Sequence, residues 1–246
     1  MNVLKDLVDL IYPPRCHICR QFLWKNRVMK DQEELHFCRY CFDGFHEITS
    51  PVCPICRRPF DSGIEEDHIC EDCLRKRPLY IAMGAPYLYE ANLMTAIHQF
   101  KYGGKTYLAD SLGPLMGSFA LDWINKTDGL LIIPVPLHPK RLRERGFNQS
   151  LILARHVAAF LGAELDYLSL RRIRYTPPQT GLDSNERRKN VRRAFELPDR
   201  KLVKGRTIIL VDDVSTTGNT LNECARVLKR AGSEKVFCLV LARTGV

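Results

Sequence analysis

The sequence of 246 residues predicts an α/β protein, a doubly wound parallel sheet preceded by a small metal-binding module. Three observations carry this. Apolar runs without alternation, such as LLII at 130–133 and TIILV at 207–211, suit strands buried on both faces. Stretches of helical periodicity alternate with these runs. Eight of the ten cysteines fall within the first 80 residues as four C-x2-C pairs.

The N-terminus, MNVLKDLVDLIYPPRC, carries acids within its apolar stretch and no small-residue cleavage site, so it does not read as a secretory signal. Leu4, Leu7, Val8 and Ile11 share one face of an amphipathic helix. No apolar run approaches membrane-spanning length, and the expected location is the cytoplasm. The cysteine pairs are Cys16/Cys19, Cys38/Cys41, Cys53/Cys56 and Cys70/Cys73. Each can clamp a metal in a tight knuckle, and two pairs complete a tetrahedral thiolate site, so two structural zinc ions are expected. Disulfides do not suit a reducing compartment. Pairing in sequence order is the expectation, although an interleaved cross-brace would use the same eight ligands. His17, His36 and His68 read as spectators beside eight thiolates.

Residues 1–78 form this module. It is too short and polar to build much core of its own, so metal binding should supply much of its folding energy. Pro78 marks the boundary to a second domain, 79–246. There, 84–90 reads as a strand, 91–102 and 108–124 as helices, and 129–137 as a buried strand. A helix from Asn148 to Leu161 turns Leu151, Ala154, Ala158 and Leu161 inward, and 165–170 reads as a strand. Residues 174–193 have no apolar periodicity and read as a long functional loop. Strands at 206–212 and 235–242 close the sheet, and the helix between them places Leu221, Ala225, Leu228 and Ala231 on one face, with Gly232 as its stop. Cys224 and Cys238 read as buried free thiols.

Charge is uneven. Residues 1–80 hold 12 Lys+Arg and 13 Asp+Glu, a net of −1, whereas the whole chain is +9, leaving +10 on 81–246. The excess lies in PKRLRERGFNQ (139–149), RRIR (171–174) and ERRKNVRR (186–193), which implies an anionic partner, a polyphosphate or a nucleic acid.

TIILVDDVSTTGNTL (207–221) is the most informative string. A buried strand ends in two acids and is followed by a small-residue loop and a helix. Gly218 permits close backbone approach, loop amides can converge on one anion, and the helix N-terminus favours negative charge. Asp212 and Asp213 can accept hydrogen bonds from a sugar diol or help to hold magnesium. An ordinary tight turn uses the same residue types, but every position here suits the phosphate role. GGKT (103–106) is not a P-loop: Gln99 stands where the first glycine belongs, and Leu93, Ile97 and Phe100 recur at helical spacing. In a parallel sheet the basic loop after 129–137 opens on the same edge as the Asp-Asp loop. Arg141, Arg143 and Arg145 can hold a second anion there. Arg141 and Arg145 rank first because i, i+4 spacing puts them on one helical face. Lys101 is a weaker candidate, and Tyr102 reads as packing.

The 207–221 string resembles the signature of the type I phosphoribosyltransferases, which bind phosphoribosyl diphosphate (PRPP) with magnesium. The resemblance implies that Asp212 and Asp213 bind ribose and act in catalysis. It implies that Ser215, Thr216, Thr217, Gly218, Asn219 and Thr220 bind the 5′-phosphate. The second anion of the opposed basic loop is then pyrophosphate, held by Arg141 and Arg145 and more weakly by Lys101. Purine-salvage members carry an acidic base at the position of Thr216, and threonine cannot serve so near neutral pH, which disfavours that activity. The cysteine knuckles, KYGGKTYLA (101–109), PVPLHPKRLRERGFNQS (134–150), TPPQTGLDSNERRKNVRRAF (176–195) and VDDVSTTGNTL occur in the order found in the ComF family, phosphoribosyltransferase-like proteins linked to DNA uptake in competent bacteria. That resemblance implies a cytoplasmic role in handling single-stranded DNA.

Three functions compete. One is a magnesium-dependent phosphoribosyl transfer to an acceptor the sequence does not name, with the TPPQ loop closing over the site. Another is a nucleic-acid-binding module on a catalytically silent fold, for which Phe147 and Tyr175 are the base-stacking candidates. The last is a scaffold whose zinc module docks a competence helicase or uptake-machinery protein.

Overall fold

In a computed structural model the described residues are 10–23, 27–30, 33–60, 66–124, 129–176 and 190–245. Leu4, Leu7 and Val8 of the expected N-terminal helix, and residues 177–189 of the expected loop, lie outside them.

The N-terminal region contains a hairpin, β1 (Arg27–Lys30) and β2 (Glu33–Cys38), and two single-turn helices, α1 (Arg39–Asp43) and α2 (Glu71–Arg75). The main sheet holds β3 (Met83–Gly84), β4 (Tyr87–Leu88), β5 (Leu131–Pro134), β6 (Glu164–Leu165), β9 (Thr207–Ser215) and β10 (Lys235–Arg243). Its order is β3-β10-β9-β5-β6, β4 also pairs with β10, and every pairing is parallel. A separate antiparallel pair, β7 (Arg171–Arg172) and β8 (Phe195–Glu196), lies downstream of β6.

Side chains alternate between the two faces of each strand. Ile209 and Val211 of β9, with Ile132, Leu239 and Leu241, pack under α3 (Ala91–Tyr102), α4 (Ala109–Trp123) and α6 (Gln149–Leu161). Ile208 and Leu210, with Leu131, Ile133 and Val240, pack under α7 (Asn219–Arg230), which buries Leu221, Cys224, Ala225 and Leu228. Helices on both faces of a parallel sheet define the doubly wound fold. The cysteine-rich region contributes to both cores. Cys16, Leu23, Phe37 and Cys41 join the α3–α4–α6 side, and Ile48, Val52, Cys53 and Ile55 join the α7 side. A region with little core of its own thus shares both cores of the sheet.

Three elements differ from expectation. The 84–90 strand is two short pieces separated by Ala85-Pro86, and proline cannot donate to a ladder. Residues 165–170 are not one strand: β6 ends at Leu165, and Leu168 and Ser169 donate their amides to Asp166 Oδ1 in an Asx turn. Leu151 is only half-buried, while Leu153 and Val157 take core positions on α6.

The connection after β5 leads to β6 and the one after β9 leads to β10, in opposite directions across the sheet. The β5/β9 boundary is therefore the topological switch point, where an open α/β sheet parts to leave a crevice at its carboxyl edge. β5 stops at Pro134 opposite Val211, while β9 runs four residues further against β10, through both acids to Ser215.

Candidate functional site

A cavity of about 610 Å3 occupies this crevice. Its floor is the end of β9. Asp212 Oδ1 accepts from Ser150 Oγ at 2.7 Å and from the Asp213 backbone N–H at 3.0 Å. Asp213 Oδ1 accepts from the Val214 N–H at 2.8 Å, and its Oδ2 faces the Lys101 ammonium at 2.8 Å. Burial pushes the Asp212 carboxyl up to about 7, and the adjacent Asp213 charge adds to the shift. Burial works against the Lys101 charge, but the two aspartates hold that group above the ordinary lysine range.

The basic wall comes from α5 (Pro139–Arg145), which follows β5. Proline at the first helical position and the His138 cap, which accepts from the Lys140 N–H, start this helix, and Gly146 at φ 83° ends it. Arg141 and Arg145 both line the cavity, one turn apart, whereas Arg143 is exposed and does not line it. Arg145 Nη1 donates to Gln149 Oε1 at 2.5 Å, which aims the guanidinium along the wall.

Of the proposed phosphate-loop residues, Thr216 and Thr220 line the cavity. Ser215 is buried and Thr217 is exposed. Gly218 takes a left-handed conformation at φ 70° just before α7, where a β-carbon would lie 3.1 Å from Tyr80 Oη. The carbonyl oxygens of Ser215 and Thr216 are held from behind by the Thr244 N–H and by Arg243.

The structure adds residues to this site that the sequence did not single out. Arg172, on β7, reaches the cavity and donates to Thr176 Oγ1, and among the described residues its Nε has no partner. Burial lowers its pKa. RRIR was legible as basic, but not as cavity-lining. Ser150 sits on the first turn of α6 and gave no sequence signal. Tyr102 is a correction: it is 60% exposed at the cavity rim, with Arg145 5.0 Å from its ring. Tyr175, which does not line the cavity, likewise has cations beside its ring, Lys140 and Arg141 at 4.6 and 5.7 Å. Basic groups facing paired carboxylates can hold a ligand that is anionic at one end and hydroxyl- or cation-bearing at the other.

The cysteines form two clusters in sequence order, Cys16/Cys19/Cys38/Cys41 and Cys53/Cys56/Cys70/Cys73, each with its sulfurs within 4.8 Å of one another. Cys19–Cys38 and Cys56–Cys70 sulfurs are 3.6 Å apart. Tetrahedral zinc with bonds near 2.3 Å needs sulfurs about 3.8 Å apart, so both sets fit. Cys53 lies well below the ordinary thiol range, chiefly through its contact with Cys56, aided by the Cys70 N–H at 3.4 Å. Cys224 and Cys238 are buried and free.

Fold and site together define a phosphoribosyltransferase-type domain carrying a double zinc ribbon. A Double zinc ribbon domain matches residues 7–74 and a Phosphoribosyl transferase domain matches 148–246. The chain is 32% identical to DNA utilization protein YhgH of Salmonella typhimurium, over 96% of this chain and 99% of that one. It is 30% identical to Competence protein F of Haemophilus influenzae, over 84% and 96%. The chain belongs to the ComF family. Among solved structures, glutamine PRPP amidotransferase from B. subtilis is 19% identical, over 54% of this chain and 26% of that one, with a TM-score of 0.37.

Proposed function

We propose that the cavity binds PRPP together with magnesium, and that the protein acts as a phosphoribosyltransferase-like component of cytoplasmic single-stranded DNA handling during DNA uptake. The observation that carries this reading is the placement of Asp212, Asp213, Arg141 and Arg145 around one switch-point crevice. In it the ribose hydroxyls donate to the two carboxylates and the 5′-phosphate sits in the 215–220 loop. The diphosphate meets Arg141 and Arg145, with Lys101 and Arg172 within reach. The carboxylate oxygens are donors of the kind Mg2+ takes, and the ion would neutralise leaving diphosphate charge. During transfer to an acceptor nucleophile, positive charge develops on the sugar, and the protein contributes positioning and stabilisation of the departing diphosphate. The names of the relatives, competence and DNA utilization proteins, support the cellular role. Among the described residues no helix is long and apolar enough to cross a membrane.

Isothermal titration with PRPP and magnesium tests the reading. Wild type should bind in the micromolar range, and Arg141→Ala or Arg145→Ala should weaken binding at least tenfold, about 1.4 kcal/mol. Unchanged affinity in both variants, or no heat with wild type, refutes it.

The exposed Tyr102 and Tyr175 beside cationic groups favour a second role for the same rim, stacking the bases of a single strand. Single-strand affinity should then fall steeply with salt and drop on Tyr102→Ala. A flat salt response rejects it.

A further inference from the structure

Arg243 ends β10 and is 3% exposed. Among the described residues its guanidinium makes two hydrogen bonds. Nη1 donates to the Thr216 carbonyl at 3.1 Å, and Nη2 donates to Cys56 Sγ at 3.6 Å. Among the described residues no carboxylate pairs with it, and Nε has no partner. A buried cation without a counter-charge is strongly unfavourable. Four thiolates around one divalent ion carry a net charge of about −2, and Cys56 belongs to such a set. The second cysteine cluster is therefore the partner that Arg243 otherwise lacks.

We propose that Arg243 is a positioning residue joining the second metal centre to the anion loop, so that zinc at Cys53/Cys56/Cys70/Cys73 and a ligand on residues 215–220 stabilise one another. Three more contacts tie the same pieces together. The Met83 N–H donates to the Ile55 carbonyl at 2.8 Å, which fixes the knuckle to β3. The Leu79 N–H donates to Asn222 Oδ1 at 2.7 Å, on the first turn of α7. Tyr80, buried between, sets its hydroxyl against Gly218. The first centre packs with the opposite face of the sheet, where the His36 N–H meets Ser111 Oγ at 2.9 Å. It serves as an internal control. Without its ion the second centre's sulfurs have no fixed arrangement. The geometry that seats Arg243 is then lost, and with it the donor that orients the Thr216 carbonyl and the amides beyond it. Coupling of this kind is reciprocal: whatever factor the metal adds to ligand affinity, the ligand adds to metal affinity.

The ligand half of this inference rests on the PRPP reading; the loop half does not. Two measurements on the zinc-loaded full chain separate them. The first follows hydrogen exchange of amides 215–220 in wild type, Arg243→Ala and Arg243→Lys, and in wild type after chelation. Exchange should rise in Arg243→Ala and after chelation, with partial protection restored by Arg243→Lys, which keeps the cation but not the two-point contact. The second follows zinc transfer to a chromogenic chelator with and without PRPP and magnesium. PRPP should tighten one of the two zinc ions by about 5- to 150-fold and leave the other unchanged. Arg243→Ala should abolish that difference, whereas a merely structural role would lower Tm and leave it intact. Unchanged loop exchange on chelation and in Arg243→Ala overturns the inference, whether or not PRPP binds. PRPP binding to wild type with no effect on either zinc ion overturns it too. Absence of PRPP binding, with loop exchange responding as expected, sinks the PRPP reading and leaves the metal–loop link standing.

Discussion

Asp212→Asn should make this protein more stable at pH 8 while impairing its cavity. The Asp212 carboxyl stands near 7 against an ordinary aspartate value of 3.8, because burial and the Asp213 charge both penalise its ionised form. Between about pH 4 and pH 7 the folded state therefore holds a proton that the unfolded chain releases. A raised acid contributes no penalty below about pH 4, and stability falls as pH climbs through the interval up to about 7. At 1.36 kcal/mol per unit the full penalty is about 4 kcal/mol at pH 8, and about 2 kcal/mol at pH 5. Water in the open cavity trims both figures. Asparagine removes the charge and keeps the structure, because the same oxygen accepts from Ser150 Oγ and from the Asp213 N–H. Urea unfolding of wild type and variant from pH 4 to pH 8 measures the difference directly. The variant's advantage should grow with pH and level off above about 7, and titration of the same samples should show weaker PRPP binding. An advantage that is flat with pH, or a variant less stable at pH 8, refutes the reasoning.

Lys101→Met leaves the Asp213 carboxylate buried without its cation and should cost about 3–5 kcal/mol. The double variant with Asp213→Asn should recover most of that loss, and a double variant as unstable as the single one would count against a direct pair. Gly218→Ala puts a side chain into a left-handed backbone at about 1–2 kcal/mol and sets a methyl against the Tyr80 hydroxyl. Thermal melts should show the loss, and PRPP affinity should fall with it; an unchanged affinity would mean that the loop need not approach a ligand closely.

Parts of the site were readable because their signals are local. The acid pair, the small-residue loop and the start of α7 are contiguous. Backbone chemistry dictates a strand, a tight turn and a helix there, in that order. The i, i+4 arginines follow from one helical turn, and the knuckles from a two-residue spacing. Tyr102 was misread because aromatic residues near a helix end suit either core or rim. The cation beside its ring, Arg145, is 43 positions away. Arg172 lies on a two-residue strand inside a basic block that implied an anionic partner without showing which of its arginines faces the cavity. Ser150 looks like any small residue on the first turn of a helix.

Taken alone, the amino-acid string determined the parallel sheet, the four cysteine knuckles and the acid pair with its small-residue loop, because periodicity, spacing and turn chemistry act between near neighbours. Only the tertiary structure decided that β5 parts from β9 where the acids lie, that Lys101 meets Asp213, and that the two cysteine clusters join opposite faces of one sheet. It alone placed Arg243 between a metal knuckle and the Thr216 carbonyl. Those relations depend on which distant segments share a low-dielectric interior, where an unpaired charge is costly enough to select its partner, and no local pattern in the chain encodes that choice.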